Sequence, residues 1–181
     1  MRKVILGMSV TLDGYVAGPK GELDWVFSSM DAAQMEWVTE SLRTIDTILI
    51  GHTTYLGQAA AWPSQTSEMA TLMNSHAKIV FSKRLTTLEW NNSHLATADA
   101  AEEIARLKQE PGKNIFVTGG ATLAQSLSRL GLIEEYNLML RPVVLGSGMP
   151  LFKDQSERLN LKLISTKTFE TGAIQLIYQK A

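Results

Sequence analysis

The sequence predicts one α/β domain, built on a central, mostly parallel sheet with helices on both faces and an antiparallel hairpin at one edge. Apolar strand-like runs alternate with helical patterns as far as residue 130, and strand patterns dominate from there on. The 181 residues show no linker, charge block or internal repeat, and 45% of them are hydrophobic. A chain of this length and composition can bury one substantial core.

The first segments of the chain predict a central strand, a long loop and a helix. Residues 3–9 are apolar with little alternation, as in a strand that is covered on both faces. Residues 12–25 contain three glycines and a proline, so we expect a long loop, and such loops are often functional. Asp31 and Gln34 resemble a capping box, which predicts the start of a helix. The buried stripe of that helix is predicted to consist of Met35, Val38, Leu42 and Ile45.

The middle of the chain repeats the alternation of strand and helix. Short apolar runs predict strands at 47–50, 78–81 and 94–97. Residues 68–75 predict a weak helix, and Asp99 is the predicted cap of another that extends to residue 109.

A strand, a pair of glycines and a helix follow one another between residues 114 and 130. Residues 115–118 are mostly apolar, Gly119-Gly120 interrupts them, and a helical pattern starts at once. Paired glycines let an anionic group approach bare backbone, where the N–H groups of the first helical turn point at it. The alternative is a tight turn in which the glycines serve only steric needs, and the sequence leaves both interpretations open.

Strand patterns dominate the last third of the chain. Residues 135–144 predict a strand that Arg141-Pro142 interrupts, so the proline should lie at an edge or a bulge. Residues 159–170 and 173–179 alternate and meet at Thr171-Gly172, which predicts the antiparallel hairpin.

Composition and motifs exclude several classes of function. The net charge of −1 argues against a nucleic-acid binder that is held by its charge. The chain has no cysteine, hence no disulfide, thiol nucleophile or thiolate metal site. Its three histidines stand apart in sequence, so we expect no metal site. Walker A and Gly-x-Ser-x-Gly motifs are absent, and no apolar run approaches membrane-spanning length, which favours a cytoplasmic protein.

Small, hydroxyl or basic residues follow three of the predicted strands. Parallel strands place their carboxyl ends along one edge of the sheet, where ligands of open α/β sheets bind. Backbone N–H groups, threonine hydroxyls and cations there suit a polyphosphate, which favours a dinucleotide, although Lys83-Arg84 alone would also suit a solvated turn. Basic residues without an acidic ribose partner favour NADP over NAD. The three segments are Gly51-His52-Thr53-Thr54, Ser82-Lys83-Arg84 and Gly119-Gly120-Ala121-Thr122.

Four segments resemble, in order and spacing, those of the dihydrofolate reductase superfamily: 9–17, 50–55, 80–83 and 117–120. Within it the chain is most similar to the reductase domain of bacterial riboflavin biosynthesis. The Ser-x-x-x-Asp-Gly pattern that begins at Ser9 and the run 141–152 point to that branch. The resemblance spans nearly the whole chain, and its specificity lies in the ordered set of motifs.

The resemblance implies a dihydrofolate-reductase-like three-layer fold with NADPH bound across an eight-stranded sheet. The adenosine phosphate side would lie at 51–55 and 82–84, and the loop 13–25 would cover nicotinamide and substrate. Homodimers are common in the riboflavin branch, so a homodimer is also implied. A cis bond would join the two glycines. The pyrophosphate would be held by Gly119, Gly120, Ala121, Thr122 and Leu123.

The function that we favour is an NADPH-dependent reductase of a small nitrogen heterocycle, most like 5-amino-6-(5-phosphoribosylamino)uracil reductase. Asp13 would position the small-molecule substrate or relay a proton, and Trp25 would wall the site. Arg141 would contact the substrate phosphate. Asp13-Gly14 is also a favoured turn pair whatever the function, and a tryptophan is more often a core residue.

Two alternatives remain open at this point. A true dihydrofolate reductase would place a carboxylate early in its first helix to assist protonation of the pterin, and Asp24 and Asp31 are the approximate candidates. A non-catalytic NADP-binding sensor would keep the phosphate-binding segments without a competent acid.

Overall fold

The structure is a computed structural model that describes residues 1–181. Its strands are β1 (Val4–Thr11), β2 (Tyr15–Ala17), β3 (Ile45–Gly51), β4 (Ala77–Phe81), β5 (Ser93–Leu95), β6 (Asn114–Thr118), β7 (Glu135–Arg141), β8 (Met149–Pro150), β9 (Leu161–Thr168) and β10 (Ile174–Lys180). Its helices are α1 (Asp24–Phe27), α2 (Ala32–Arg43), α3 (His52–Ala61), α4 (Glu68–Ser75), α5 (Ala100–Gln109) and α6 (Ala121–Arg129). No helix combines the length and the apolar character that crossing a membrane requires.

Eight strands form one sheet in the order β5-β4-β3-β6-β1-β7-β10-β9. Neighbours pair in parallel except β10, which runs antiparallel to both β7 and β9. The predicted fold class is therefore confirmed, with the hairpin of β9 and β10 at the C-terminal edge. β2 and β8 form a separate antiparallel pair, and β2 lies within the predicted loop 12–25. Two or three residues carry too little pattern to indicate a strand.

The sheet buries a core on each face, since successive side chains of a strand point to opposite sides. On one face Leu6 and Val117 pack with Ala124 and Leu127 of α6, and all four are fully buried. The other face holds a smaller cluster of eight buried residues, which are Leu42 of α2, Ile45, Ile48, Ile50, Tyr55, Met73, Val80 and Trp90. α2 therefore covers the face of the sheet opposite to α6.

Three helices begin where the sequence places a capping residue. Asp31 accepts from the backbone N–H of Gln34, Ser67 from that of Ala70, and Asp99 from two N–H groups of α5. Each such cap stabilises its helix by about 1 kcal/mol.

The buried stripe of α2 differs from the predicted one. Met35 is 44% exposed, whereas the polar Gln34 is fully buried. Ile45 belongs to β3 rather than to the helix. Periodicity alone selects apolar residues for the buried side. Gln34 is buried instead because it hydrogen-bonds to the buried Arg141 and to the half-buried Thr171.

Candidate functional site

The turn between β6 and α6 consists of two glycines with positive φ. φ is 61° at Gly119 and 81° at Gly120, and no peptide bond is cis. The implied cis bond is therefore wrong, and the left-handed backbone at both residues makes the turn instead. A Cβ atom on Gly119 would lie 2.6 Å from Thr54 Cγ2, and one on Gly120 would lie 3.0 Å from Thr54 Oγ1. Thr54 thus leaves no room for a side chain at Gly119, and it would lie in tight contact with one at Gly120.

Two helices, α3 and α6, begin at this edge without a side-chain cap. Their N-cap residues are Gly51 and Gly120, and no side chain accepts from their first turns. The two starts are neighbours, since a Cβ atom on Gly51 would lie 3.8 Å from Leu123 Cβ. The N–H groups of both first turns are left for a ligand or water, and their partial positive charge favours an anion.

The end of β4 joins the same edge. Gly51 pairs with Phe81 in the parallel register of β3 and β4. The next residue, Ser82, places its Oγ atom 2.8 Å from Nδ1 of His52, the first residue of α3. His52 therefore serves to link two strand ends, and nowhere in the chain do three or more metal-ligating side chains cluster.

Two cations lie just beyond Ser82. The backbone N–H groups of Arg84 and Leu85 each donate to Ser82 Oγ over 3.1 Å. The side chains of Lys83 and Arg84 are exposed and take part in no ion pair. The structure thus brings all three predicted cofactor-binding segments to one edge of the sheet.

A cavity of about 160 Å³ opens between α2 and the sheet, beside this edge. Trp37 of α2 and Phe116 of β6 supply aromatic surface, and the Phe116 ring lies across Gly7. Thr118, which precedes the glycine turn, also lines the cavity and makes the two regions adjacent. No carboxylate lines the cavity. Its polar side chains are Ser9, Ser41, Thr118, Asn137 and Arg141.

Arg141 is a buried cation at this cavity. Only 1% of the residue is exposed. Its Nη1 donates to Gln34 Oε1, and longer contacts join Nε to Ser9 Oγ at 3.3 Å and Nη1 to Ser29 at 3.4 Å. Burial lowers the pKa of the guanidinium, and the Asp31 carboxylate opposes that shift only through space. Arg141 therefore lines the cavity as a buried cation, and its predicted contact with a substrate phosphate stays a prediction.

Asp13 holds two loops together. Its Oδ1 accepts from the Thr11 hydroxyl at 2.6 Å and its Oδ2 from the backbone N–H of Gly146 at 2.7 Å. The Thr11 hydroxyl and the N–H groups of Gly146 and Leu145 lower the pKa of Asp13 below its usual value. The side chain is thus ionised at neutral pH and ties the loop after β1 to the glycine-rich loop after β7.

Trp25 lies in α1 rather than at the end of the predicted loop, and it packs against the residues that precede that helix. It is 8% exposed, and its Nε1 lies 3.3 Å from the Glu22 carbonyl oxygen. Trp25 does not line the cavity, where Trp37 supplies the tryptophan instead. The predicted contact of Trp25 with substrate stays a prediction.

Several residues of the site carried a weak or misleading signal in the sequence. Trp37 lies off the predicted apolar stripe of α2, and Gln34 resembles an ordinary capping-box residue. Asn137 was detectable in principle, because it lies two strand repeats before Arg141 on the same face of β7 and interrupts an apolar run.

Comparison with known proteins supports one family. The family model described as RibD C-terminal domain matches residues 2–175. The uncharacterized protein YyaP of Bacillus subtilis (strain 168) is 38% identical, over 98% of this chain and 94% of that protein.

Two solved structures share the fold. One, a protein from Shewanella sp. PV-4 named for riboflavin biosynthesis, superposes with a TM-score of 0.81 at 23% identity over 99% of both chains. The other, dihydrofolate reductase from Enterococcus faecalis, gives a TM-score of 0.67 at 13% identity over 98% of this chain and 96% of that one.

Proposed function

The chain belongs to the RibD C-terminal domain family, and on that premise we propose that it is an NADPH-dependent reductase of a small nitrogen heterocycle. The observation that carries the proposal is the meeting of three strand ends with two uncapped helix starts at one edge of the sheet. A ligand with several phosphates is the chemistry that such an edge suits.

The residues present fit the diphosphate of a dinucleotide. Gly119 and Gly120 leave bare backbone beside the first turn of α6, and the first turn of α3 adds further N–H donors. The Thr54 hydroxyl lies within the same space. In this proposal the exposed Lys83 and Arg84 bind the additional phosphate that distinguishes NADPH from NADH.

The substrate would enter the cavity between α2 and the sheet. NADPH, when bound, supplies the hydride. The chain itself contributes an apolar wall that excludes water, together with Arg141 and Asn137 for orientation. Asp13 is ionised, so we assign it a positioning role at the two loops rather than that of a proton donor.

Cofactor titration tests the proposal directly. We expect NADPH to bind more tightly than NADH, and a Lys83→Ala, Arg84→Ala variant to lose NADPH affinity more than NADH affinity, since only NADPH carries the extra phosphate. Equal loss for the two cofactors would contradict the assignment of these cations.

A glycine substitution tests the position of the diphosphate. Gly120→Val should abolish NADPH binding, because a branched side chain would displace Thr54 and cover the backbone. Gly57→Ala is the matched control, since Gly57 lies inside α3 with no atom near its Cβ position. Normal NADPH binding by Gly120→Val would show that the diphosphate lies elsewhere.

Turnover separates a reductase from a sensor. NADPH oxidation with dihydrofolate would favour the folate enzyme, whereas oxidation with ribosylaminopyrimidines would favour the riboflavin branch. NADPH binding without oxidation of any substrate in such a panel would favour a nucleotide sensor.

A further inference from the structure

The cation of Arg141 has no anionic partner in the protein. None of the ion pairs includes it, and its one close hydrogen bond is to the neutral amide of Gln34. The nearest carboxylate influence comes from Asp31, which already accepts the Gln34 N–H as the cap of α2. Buried charges in proteins are normally paired, because an isolated one is costly to remove from water.

The unpaired donor atom belongs to a residue that lines the cavity. Nη2 of Arg141 donates to no protein atom. Arg141 lines this cavity, so a ligand there could supply the missing acceptor. The Nε contact to Ser9, at 3.3 Å, is long enough to be exchanged for a better acceptor. Nη2 and Nε together form the fork that a carboxylate accepts in bidentate fashion.

The rest of the cavity is suited to a flat apolar group. Trp37, Phe116, Met8 and Met139 contribute its apolar surface. Arg141 is the only charged residue in the lining. A phosphoribosyl group is bulky and doubly charged, and it would need several cations and an open, polar mouth.

We propose that this cavity binds an aromatic or heteroaromatic ring that carries a planar carboxylate, with the carboxylate on Arg141 and the ring between Trp37 and Phe116. The ligand's negative charge compensates the buried guanidinium, which a neutral ring carbonyl cannot do. Binding of this ligand does not depend on the proposed function. That the ligand is also the substrate of the reductase does rest on it.

Binding of simple probes to the wild-type protein tests the inference. Benzoate, benzamide, uracil and inorganic phosphate are titrated by calorimetry and by quenching of tryptophan fluorescence, since Trp37 lines the cavity. We expect benzoate to bind about 10- to 100-fold more tightly than benzamide, because it alone forms charge-assisted bonds. Equal affinity of benzoate and benzamide, tighter binding of uracil, or displacement of benzoate by equimolar phosphate would each overturn the inference.

Variants locate the site. Arg141→Met should reduce benzoate affinity to that of benzamide, whereas Arg158→Met, at an exposed arginine, should leave it unchanged. Arg141→Lys keeps the charge without the fork and should give an intermediate affinity, which covers the case in which Arg141→Met does not fold. Unchanged benzoate binding in Arg141→Lys and Arg141→Met would overturn the assignment.

NADPH titration in parallel separates the two proposals. Selective benzoate binding without NADPH binding would sink the reductase and leave the carboxylate site intact. NADPH binding without selectivity for benzoate would do the reverse.

Discussion

Adding one methyl group at Gly119 should destabilise the protein through two separable effects. The first is the backbone, because φ of 61° is a left-handed conformation that costs a residue with a Cβ atom about 1–2 kcal/mol. The second is the clash with Thr54 Cγ2, which would lie 2.6 Å from the new atom. Overpacking of this kind costs about 1–3 kcal/mol. We therefore expect Gly119→Ala to lower the free energy of unfolding by roughly 2–5 kcal/mol.

Thr54→Ser removes the clashing methyl group and nothing else. The next atoms of residue 54 lie 3.5 and 3.6 Å from the new Cβ, which is ordinary contact. The double variant Gly119→Ala, Thr54→Ser should therefore recover the packing loss and keep the backbone loss. The coupling free energy of this double-mutant cycle should be about 1–3 kcal/mol.

Urea unfolding of the four proteins measures the cycle in the absence of cofactor, so a change in ligand affinity cannot mimic it. Gly57→Ala controls for the general effect of a methyl group and should stabilise α3 by roughly 0.5–1 kcal/mol. Additive losses, with no coupling between positions 54 and 119, would refute the packing of Thr54 on the glycine turn.

Three further predictions concern other parts of the chain. Burial lowers the pKa of Lys78 from 10.5 to about 8, so between these pH values the unfolded chain binds more protons and the free energy of unfolding should rise with pH. Urea unfolding at several pH values should show this rise in the wild type and not in Lys78→Met. If the free energy of unfolding has the same slope against pH in both proteins, the bonds from Nζ to backbone carbonyls cancel the effect of burial. Gly7→Ala should push the Phe116 ring into the cavity, since the new Cβ would lie 2.0 Å from Cζ, and should weaken benzoate binding while NADPH affinity is retained; unchanged benzoate titrations would contradict this. Asp13→Asn should lower the melting temperature at pH 7. The difference from wild type should disappear as the pH falls below 3.8 and the Asp13 carboxylate becomes protonated at its lowered pKa. A difference that persists at low pH would rule out a role for the charge.

Features with a local cause were predictable from the sequence. The caps at Asp31 and Asp99 depend on residues two or three positions away, and they lie where predicted. The unit of β6, Gly119-Gly120 and α6 is also encoded within one short stretch. The alternation of strands and helices then suffices for a mostly parallel sheet, which the structure confirms.

The cavity was not predictable in the same way, because its contacts join distant segments. Arg141 meets Gln34 and Ser29, which lie more than a hundred residues earlier. Such a contact leaves no periodic pattern in the sequence. It also overrides the periodicity of α2, since Gln34 is buried where the pattern predicts that Met35 is. The edge of the sheet where the cofactor is proposed to bind was predictable in part. Each of its three segments could be identified in the sequence, but only the parallel order of β4, β3 and β6 shows that they lie side by side.

The position of β1 has a consequence for how the chain acquires its structure. β1 leaves the ribosome long before its partners, because in the main sheet it pairs only with β6 and β7, from residue 114 onward. Until β6 and β7 are synthesised, both edges of the apolar β1 segment lack their partner strands. Contacts of such long sequence separation also form slowly. The strand at the centre of the finished sheet is therefore among the last to find its partners, and its apolar side chains stay exposed to aggregation until about three quarters of the chain has been made.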